Sequence, residues 1–146
     1  MKSPGSKKEY NTSVTYERSL IAPCGMNCGT CFAFMRPVNK CPGCRADDKS
    51  KHKACVQCII KNCDLLRETQ SGFCYDCTRY PCQRLKQLDK RYRTKYRTSF
   101  LENLMMIKQK GIEYFLDFET RRRTCPKCKS SLSVHRNYCL ACNEVW

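Results

Sequence analysis

The sequence predicts a small, irregular α+β fold organised by cysteines rather than by a large apolar core. Three observations carry that expectation. Fifteen of the 146 residues are cysteine, and six Cys-x-x-Cys pairs hold twelve of them. Hydrophobic residues make up 41% of the chain, falling to about 31% once the cysteines are set aside, which is thin for a self-sufficient core. Between two cysteine-rich segments lies a cysteine-free stretch whose apolar residues recur at helical spacing.

Disulfides and metal compete to explain so many thiols. The first ten residues are polar and lysine-bearing, with no apolar run resembling a signal peptide. No stretch approaches the roughly 20 apolar residues of a membrane span. The expectation is a cytoplasmic chain without membrane association, whose odd number of thiols stays reduced and available to metal.

Residues 1–20 read as a flexible polar lead. Residues 21–82 hold eleven cysteines among short Pro- and Gly-bearing turns and read as a metal-binding region. Two residues between cysteines let a tight turn aim both sulfurs at one ion, at about 2.3 Å for zinc. The candidate ligands are Cys24, Cys28 and Cys31, then Cys41 and Cys44, followed by a repeated pattern. Cys55-x-x-Cys58-x-x-x-x-Cys63 recurs nineteen residues on as Cys74-x-x-Cys77-x-x-x-x-Cys82, which suggests two equivalent units. Eleven cysteines are one short of three four-ligand sites. His52 is the candidate twelfth ligand, although in Lys51-His52-Lys53 it also reads as a solvated loop residue. A bridging thiolate or a spare cysteine satisfies the count equally well.

The triplet Cys24, Cys28 and Cys31 has the spacing of a radical-SAM cluster site, but the chain is too short for the barrel that chemistry needs. The sequence around these cysteines is more specific. Ile21-Ala22-Pro23-Cys24-Gly25-Met26-Asn27-Cys28-Gly29-Thr30-Cys31, then Cys41-Pro42-Gly43-Cys44-Arg45, resembles the opening of the domain of unknown function 3795 family. The similarity runs on through Phe73-Cys74-Tyr75-Asp76-Cys77 and Tyr80-Pro81-Cys82. The resemblance implies a cysteine-rich metal-binding domain and carries over no catalytic residue.

Residues 83–123 read as a basic helical segment. Leu85, Leu88, Tyr92 and Tyr96 form one apolar stripe. Ser99 followed by Glu102 has capping-box spacing and opens a second helix, with Phe100, Leu101, Leu104, Met105 and Ile107 as its buried face. Gly111 ends it, and Ile112 to Thr120 forms a third helix with Phe115 and Leu116 inward. The segment holds twelve Lys/Arg against five Asp/Glu. Arg84, Lys86, Lys90, Arg91, Arg93, Lys95 and Arg97 flank the apolar stripe, and Arg121, Arg122 and Arg123 follow. These residues are the candidate contacts to RNA or DNA phosphates; an acidic protein partner is the alternative. Tyr92 and Tyr96 fall on the buried stripe, which argues against base stacking.

Residues 124–146 complete the chain. Cys125-Pro126-Lys127-Cys128, ten residues, then Cys139-Leu140-Ala141-Cys142 is the layout of a zinc ribbon, with Leu132 and Val134 alternating as a short strand would. The ligand count predicts three or four zinc ions in all, with an iron–sulfur cluster within residues 24–82 as the alternative. Formal net charge is +15; four zinc ions on fifteen thiolates would lower it to about +8. An enzyme is not the expectation. His52 and His135 are the only histidines, Asp47-Asp48 reads as a solvated turn, and no phosphate loop or nucleophile elbow occurs. The predicted protein is a nonenzymatic zinc-binding module, with redox or metal handling and an interaction adaptor as rivals.

Overall fold

The computed structural model describes residues 16–46, 56–58 and 60–146. Within them lie five α-helices: α1 (Phe32–Met35), α2 (Asp64–Arg67), α3 (Gln83–Tyr96), α4 (Phe100–Lys110) and α5 (Ile112–Arg122). Short 3-10 turns at Arg18–Leu20, Cys28–Thr30 and Cys74–Asp76 carry the chain through the first cysteine-rich region. None of the described helices is long and apolar enough to cross a membrane.

The strand content of the expected α+β fold shrinks, among the described residues, to three isolated antiparallel bridges: Ile21 with Asn27, Thr124 with Ser131, and Tyr138 with Val145. Leu132 and Val134 are buried, as the alternation suggested, but Ser133 between them is buried too. The segment is covered on both sides. Its amides bond to scattered acceptors, Leu132 N–H to Arg123 O at 2.7 Å and Val134 N–H to Thr30 O at 2.8 Å, so no ladder forms.

α3 buries the stripe its sequence marks. Leu85 is fully buried, Leu88, Tyr92 and Tyr96 are half-buried, and the Tyr92 ring sits 4.5 Å from that of Phe100. Asp89 shares this inner face and is 1% exposed. It accepts hydrogen bonds from Ser99 Oγ (2.7 Å), Leu101 N–H (3.0 Å) and Arg93 Nε (2.6 Å). Burial by itself would raise its pKa, but these donors together pull it below the ordinary carboxylate value. Ser99 in turn accepts from Glu102 N–H at 3.2 Å. The capping residue predicted for α4 is thus in place, held by a carboxylate from α3.

On α4 the buried residues are Phe100, Asn103, Leu104 and Ile107. Met105, expected inside, is 55% exposed. Positions 100, 103, 104 and 107 follow the i, i+3, i+4, i+7 face, and 105 turns away from it. Asn103 Nδ2 donates to Gly25 O at 3.0 Å. Gly25 has φ +94, and a Cβ there would lie 2.9 Å from Phe100 O, so the close approach of the first cysteine loop to α4 requires glycine.

Gly111, with φ +94, both ends α4 and precedes α5. Phe115 and Glu119 are the buried residues of α5. Glu119 accepts from Asn27 Nδ2 at 3.1 Å and from Arg122 Nε at 2.7 Å, with Arg123 Nε 3.9 Å away. Asn27 lies between Cys24 and Cys28, and its Oδ1 accepts from Gly29 N–H at 2.9 Å. The helices therefore hold the first cysteine loop at both Gly25 and Asn27.

The main apolar cluster joins this loop, residues 60–74 and the three long helices; a second small cluster gathers Cys125, Leu132 and Cys139. Tyr16 Oη lies 2.6 Å from Ser131 Oγ, and Ser133 Oγ donates to Thr30 O at 3.1 Å. Residues 124–146 are docked on the first cysteine loop.

Candidate metal centre

Two short loops at the C-terminus have the same backbone hydrogen-bond pattern. In each, the N–H of the first cysteine bonds to the carbonyl five residues on: Cys125 to Ser130 at 2.8 Å, Cys139 to Glu144 at 2.7 Å. The carbonyl of that cysteine accepts from the residue four on, Lys129 at 2.9 Å and Asn143 at 2.8 Å. Lys129 and Asn143 have φ of 67 and 68, the left-handed turn that folds the Cys-x-x-Cys backbone around its sulfurs. The flanking bridges, 124 with 131 and 138 with 145, also correspond.

These paired turns bring Cys125, Cys128, Cys139 and Cys142 together, with all four sulfurs within 4.8 Å of one another. Cys125 and Cys142 Sγ are 3.7 Å apart, Cys128 and Cys139 Sγ 3.5 Å. A tetrahedral ion with bonds of about 2.3 Å spaces its sulfurs about 3.8 Å apart. The set fits one metal ion. No disulfide joins any of the described cysteines.

The crowding of these sulfurs pulls their protonation in different directions. Partial burial would raise the Cys128 pKa, but the Ser130 hydroxyl and N–H overcome that and pull it down to about 6. Cys139 moves the other way, pushed up to about 12 by burial first and by its sulfur neighbours after. Four thiolates this close cannot all form without a compensating positive charge, which a metal ion would supply.

In the first cysteine-rich region the described cysteines fall into two neighbourhoods. Cys24, Cys28, Cys31, Cys41 and Cys44 surround the first loop. Cys28 is pushed up to about 12 by burial, then by the nearby Cys44, Cys31 and Cys41 thiols, while its sulfur accepts from Cys44 N–H at 3.3 Å. Burial likewise holds Cys24 well above its ordinary value. Cys63, Cys74, Cys77 and Cys82 form the other neighbourhood: Cys74 is pushed up to about 12 by burial and then by the other three. Cys63 of the first copy of the repeat thus lies near the three cysteines of the second. Cys58 is half-buried against the main core. Cys55 and His52 lie outside the described residues.

Arg45 links the two neighbourhoods. It donates to Ile21 O at 2.7 Å and to Gly72 O at 3.0 Å, and its guanidinium lies 4.8 Å from the centre of the Phe73 ring. Neither Arg45 nor Asn27 carries a ligand signature in sequence, and only their contacts reveal their part in shaping these loops.

The predicted basic contacts divide sharply. Arg84, Lys86, Lys90, Arg91, Lys95, Arg97 and Arg121 are exposed. Arg93 is exposed but engaged by Asp89. Arg122 is half-buried on Glu119 and over the Phe118 ring. Arg123 is 3% exposed and donates to Thr98 Oγ1 at 2.9 Å. As the cap of α5 it turns inward, so it cannot serve as a surface cation. A residue outside the predicted set takes its place: Arg136 joins Lys95, Arg97 and Trp146 around a cleft of about 290 Å³.

His135 also borders this cleft and is half-buried. Its Nδ1 accepts from Phe32 N–H at 3.3 Å, and its Nε2 is 2.8 Å from Tyr92 Oη. That pair of bonds assigns a neutral ring protonated on Nε2. Burial first, then Arg136 and Arg123, lower its pKa from 6.5 to about 4. A histidine held neutral in the fold stabilises fully above its unfolded value, and this contribution drains as pH falls from 6.5 towards about 4. It amounts to about 2 kcal/mol after allowing for the partly exposed ring. The His135 imidazole is expected to titrate near the lower value by NMR. A midpoint at the ordinary value would show the ring solvated and the Phe32 bond absent.

Neither a curated protein nor a solved structure matches the chain. The family described as protein of unknown function (DUF3795) matches residues 20–87, from the first cysteine loop into the start of α3, with the C-terminal four-cysteine centre outside the match. The first cysteine-rich region of this chain is therefore similar to that family, as its motifs suggest.

Proposed function

We propose that the protein is a zinc-dependent, nonenzymatic binding module that contacts RNA or DNA through the exposed cations of α3. The zinc is structural: four thiolates leave no open coordination position for chemistry. Zinc rather than another ion suits a closed, all-sulfur tetrahedron in a fold with a thin core.

The observation that supports the nucleic-acid reading is the cleft where α3 meets the C-terminal module. Lys95 and Arg97 from the end of the helix and Arg136 from the following loop line it beside Trp146. None of these three cations makes an ion pair within the described residues. Lys86, Lys90 and Arg91 continue the positive surface along the helix. Phosphate is the anion that a string of such cations matches, and each phosphate neutralised releases counterions.

Trp146 is the only tryptophan in the chain, so its fluorescence reports on the cleft. Titrating the zinc-loaded full chain with a single-stranded RNA or DNA oligonucleotide should change that signal with an affinity that falls steeply as salt rises. The triple variant K95Q/R97Q/R136Q should weaken binding at low salt and reduce the log–log salt slope by about two to three. Salt-insensitive binding, or none to either nucleic acid, would remove the reading. Capture of an acidic protein with no nucleic-acid binding would assign the same surface to a protein partner instead.

A further inference from the structure

A cavity of about 570 Å³ opens between α2 and the start of α3, and Cys63, Cys74, Cys77 and Cys82 all line it. Cys63 and Cys82 are the residues that precede α2 and α3, while Cys74 and Cys77 stand at the two ends of the 3-10 turn between them. The remaining wall is largely apolar, with Ile60, Leu66 and Leu85 buried against it. Arg79 and Arg84 also border the space, and Arg79 N–H donates to Cys77 Sγ at 3.4 Å. The one carboxylate on the rim, Asp64, has Arg67 at 3.7 Å.

This arrangement differs from the C-terminal centre in one respect that decides its chemistry. There, four sulfurs crowd within 4.8 Å of one another; here, no three of the described cysteine sulfurs do. A single tetrahedral ion needs the tighter spacing. A cube of four irons and four sulfides stands between its thiolates, one iron behind each, and holds them further apart. Apolar walls, an amide donating to a ligand sulfur and nearby cations are also what an anionic cluster needs, since its charge must be held away from bulk water.

We propose that Cys63, Cys74, Cys77 and Cys82 bind a [4Fe–4S] cluster in this cavity, a second metal centre of a different kind from the C-terminal one. The proposal deepens the reading of the protein as metal-organised, yet it stands apart from zinc at Cys125–Cys142 and from nucleic-acid binding, which are read out separately.

The test is anaerobic incubation of the full chain with ferric iron, sulfide and a thiol reductant, which reduces two of every four irons as it forms disulfide, followed by desalting. The expected product holds about four irons and four sulfides per chain and shows a broad visible band that dithionite bleaches. Cys77 and Cys82 are half-exposed, so C77S and C82S can be made with little risk to folding, and each should lose most of the iron and the band. Asp117→Ala, an exposed change on α5, should retain both. A chain that takes up only zinc would overturn the proposal. So would a visible band that survives in C77S/C82S and disappears in C31S, because the cluster would then belong to the first cysteine neighbourhood.

Discussion

Replacing Cys139 by serine is expected to release the metal ion from the C-terminal centre and to unfold residues 124–146. Cys139 is fully buried, as is Cys125 across the ion, and the small cluster around them contains little besides Leu132. Structural zinc contributes an apparent 10–16 kcal/mol or so in small zinc modules at neutral pH, comparable with the roughly 5–15 kcal/mol that holds a whole domain together. Nothing else in this module is of that size. Loss of the ion should also free Ser131 from Tyr16 and Val134 from Thr30, so amide protection should fall at residues 28–31 as well. Metal analysis and hydrogen exchange on C139S check this, with chelation of the unmodified chain as the parallel experiment. A C139S chain with undiminished metal content and protection would mean that the four sulfurs are not a ligand set.

Glu119→Ala is expected to cost about 3–5 kcal/mol, the usual penalty for removing one partner of a buried ion pair. Glu119 is 1% exposed and Arg123 is 3% exposed, so the substitution leaves a buried guanidinium without its counter-charge. Arg123 Nε already lacks a hydrogen-bond partner, and its pKa is lowered by burial and held up by Glu119. Asn27 loses its acceptor at the same time, which loosens the loop carrying Cys24, Cys28 and Cys31. Urea denaturation should show the midpoint shift, and metal analysis should show weaker loading of the first region. Asp117→Ala, an exposed acidic change on the same helix, should stay within about 0.5 kcal/mol of the parent. Equal stability of E119A and D117A would show that the buried network contributes nothing.

Local chemistry was legible in the residues themselves. A Cys-x-x-Cys turn closes within a few residues, so its ability to present two sulfurs follows from spacing, and both C-terminal turns form as that spacing implies. The α3 stripe, the Ser99 cap and the break at Gly111 are local in the same sense. So is the match of residues 20–87 to a known family, which a run of ordered motifs carries without any tertiary information.

What only the folded chain decided involves distance along the sequence. The repeat of Cys55–Cys63 in Cys74–Cys82 suggests two matching units, and only the fold shows that Cys63 lines one cavity with Cys74, Cys77 and Cys82. The Arg121–Arg123 run looks uniformly cationic in one dimension; the end of α5 sends the third arginine inward to Glu119, because a helix turns consecutive residues to different faces. Asp89, Asn103 and Glu119 are polar residues on buried faces, and periodicity assigns such residues to solvent. Besides an arginine on their own helix, Asp89 and Glu119 draw donors from Ser99 and Leu101 and from Asn27, and Asn103 donates to Gly25 O; a buried charge is tolerable only once those partners are assembled.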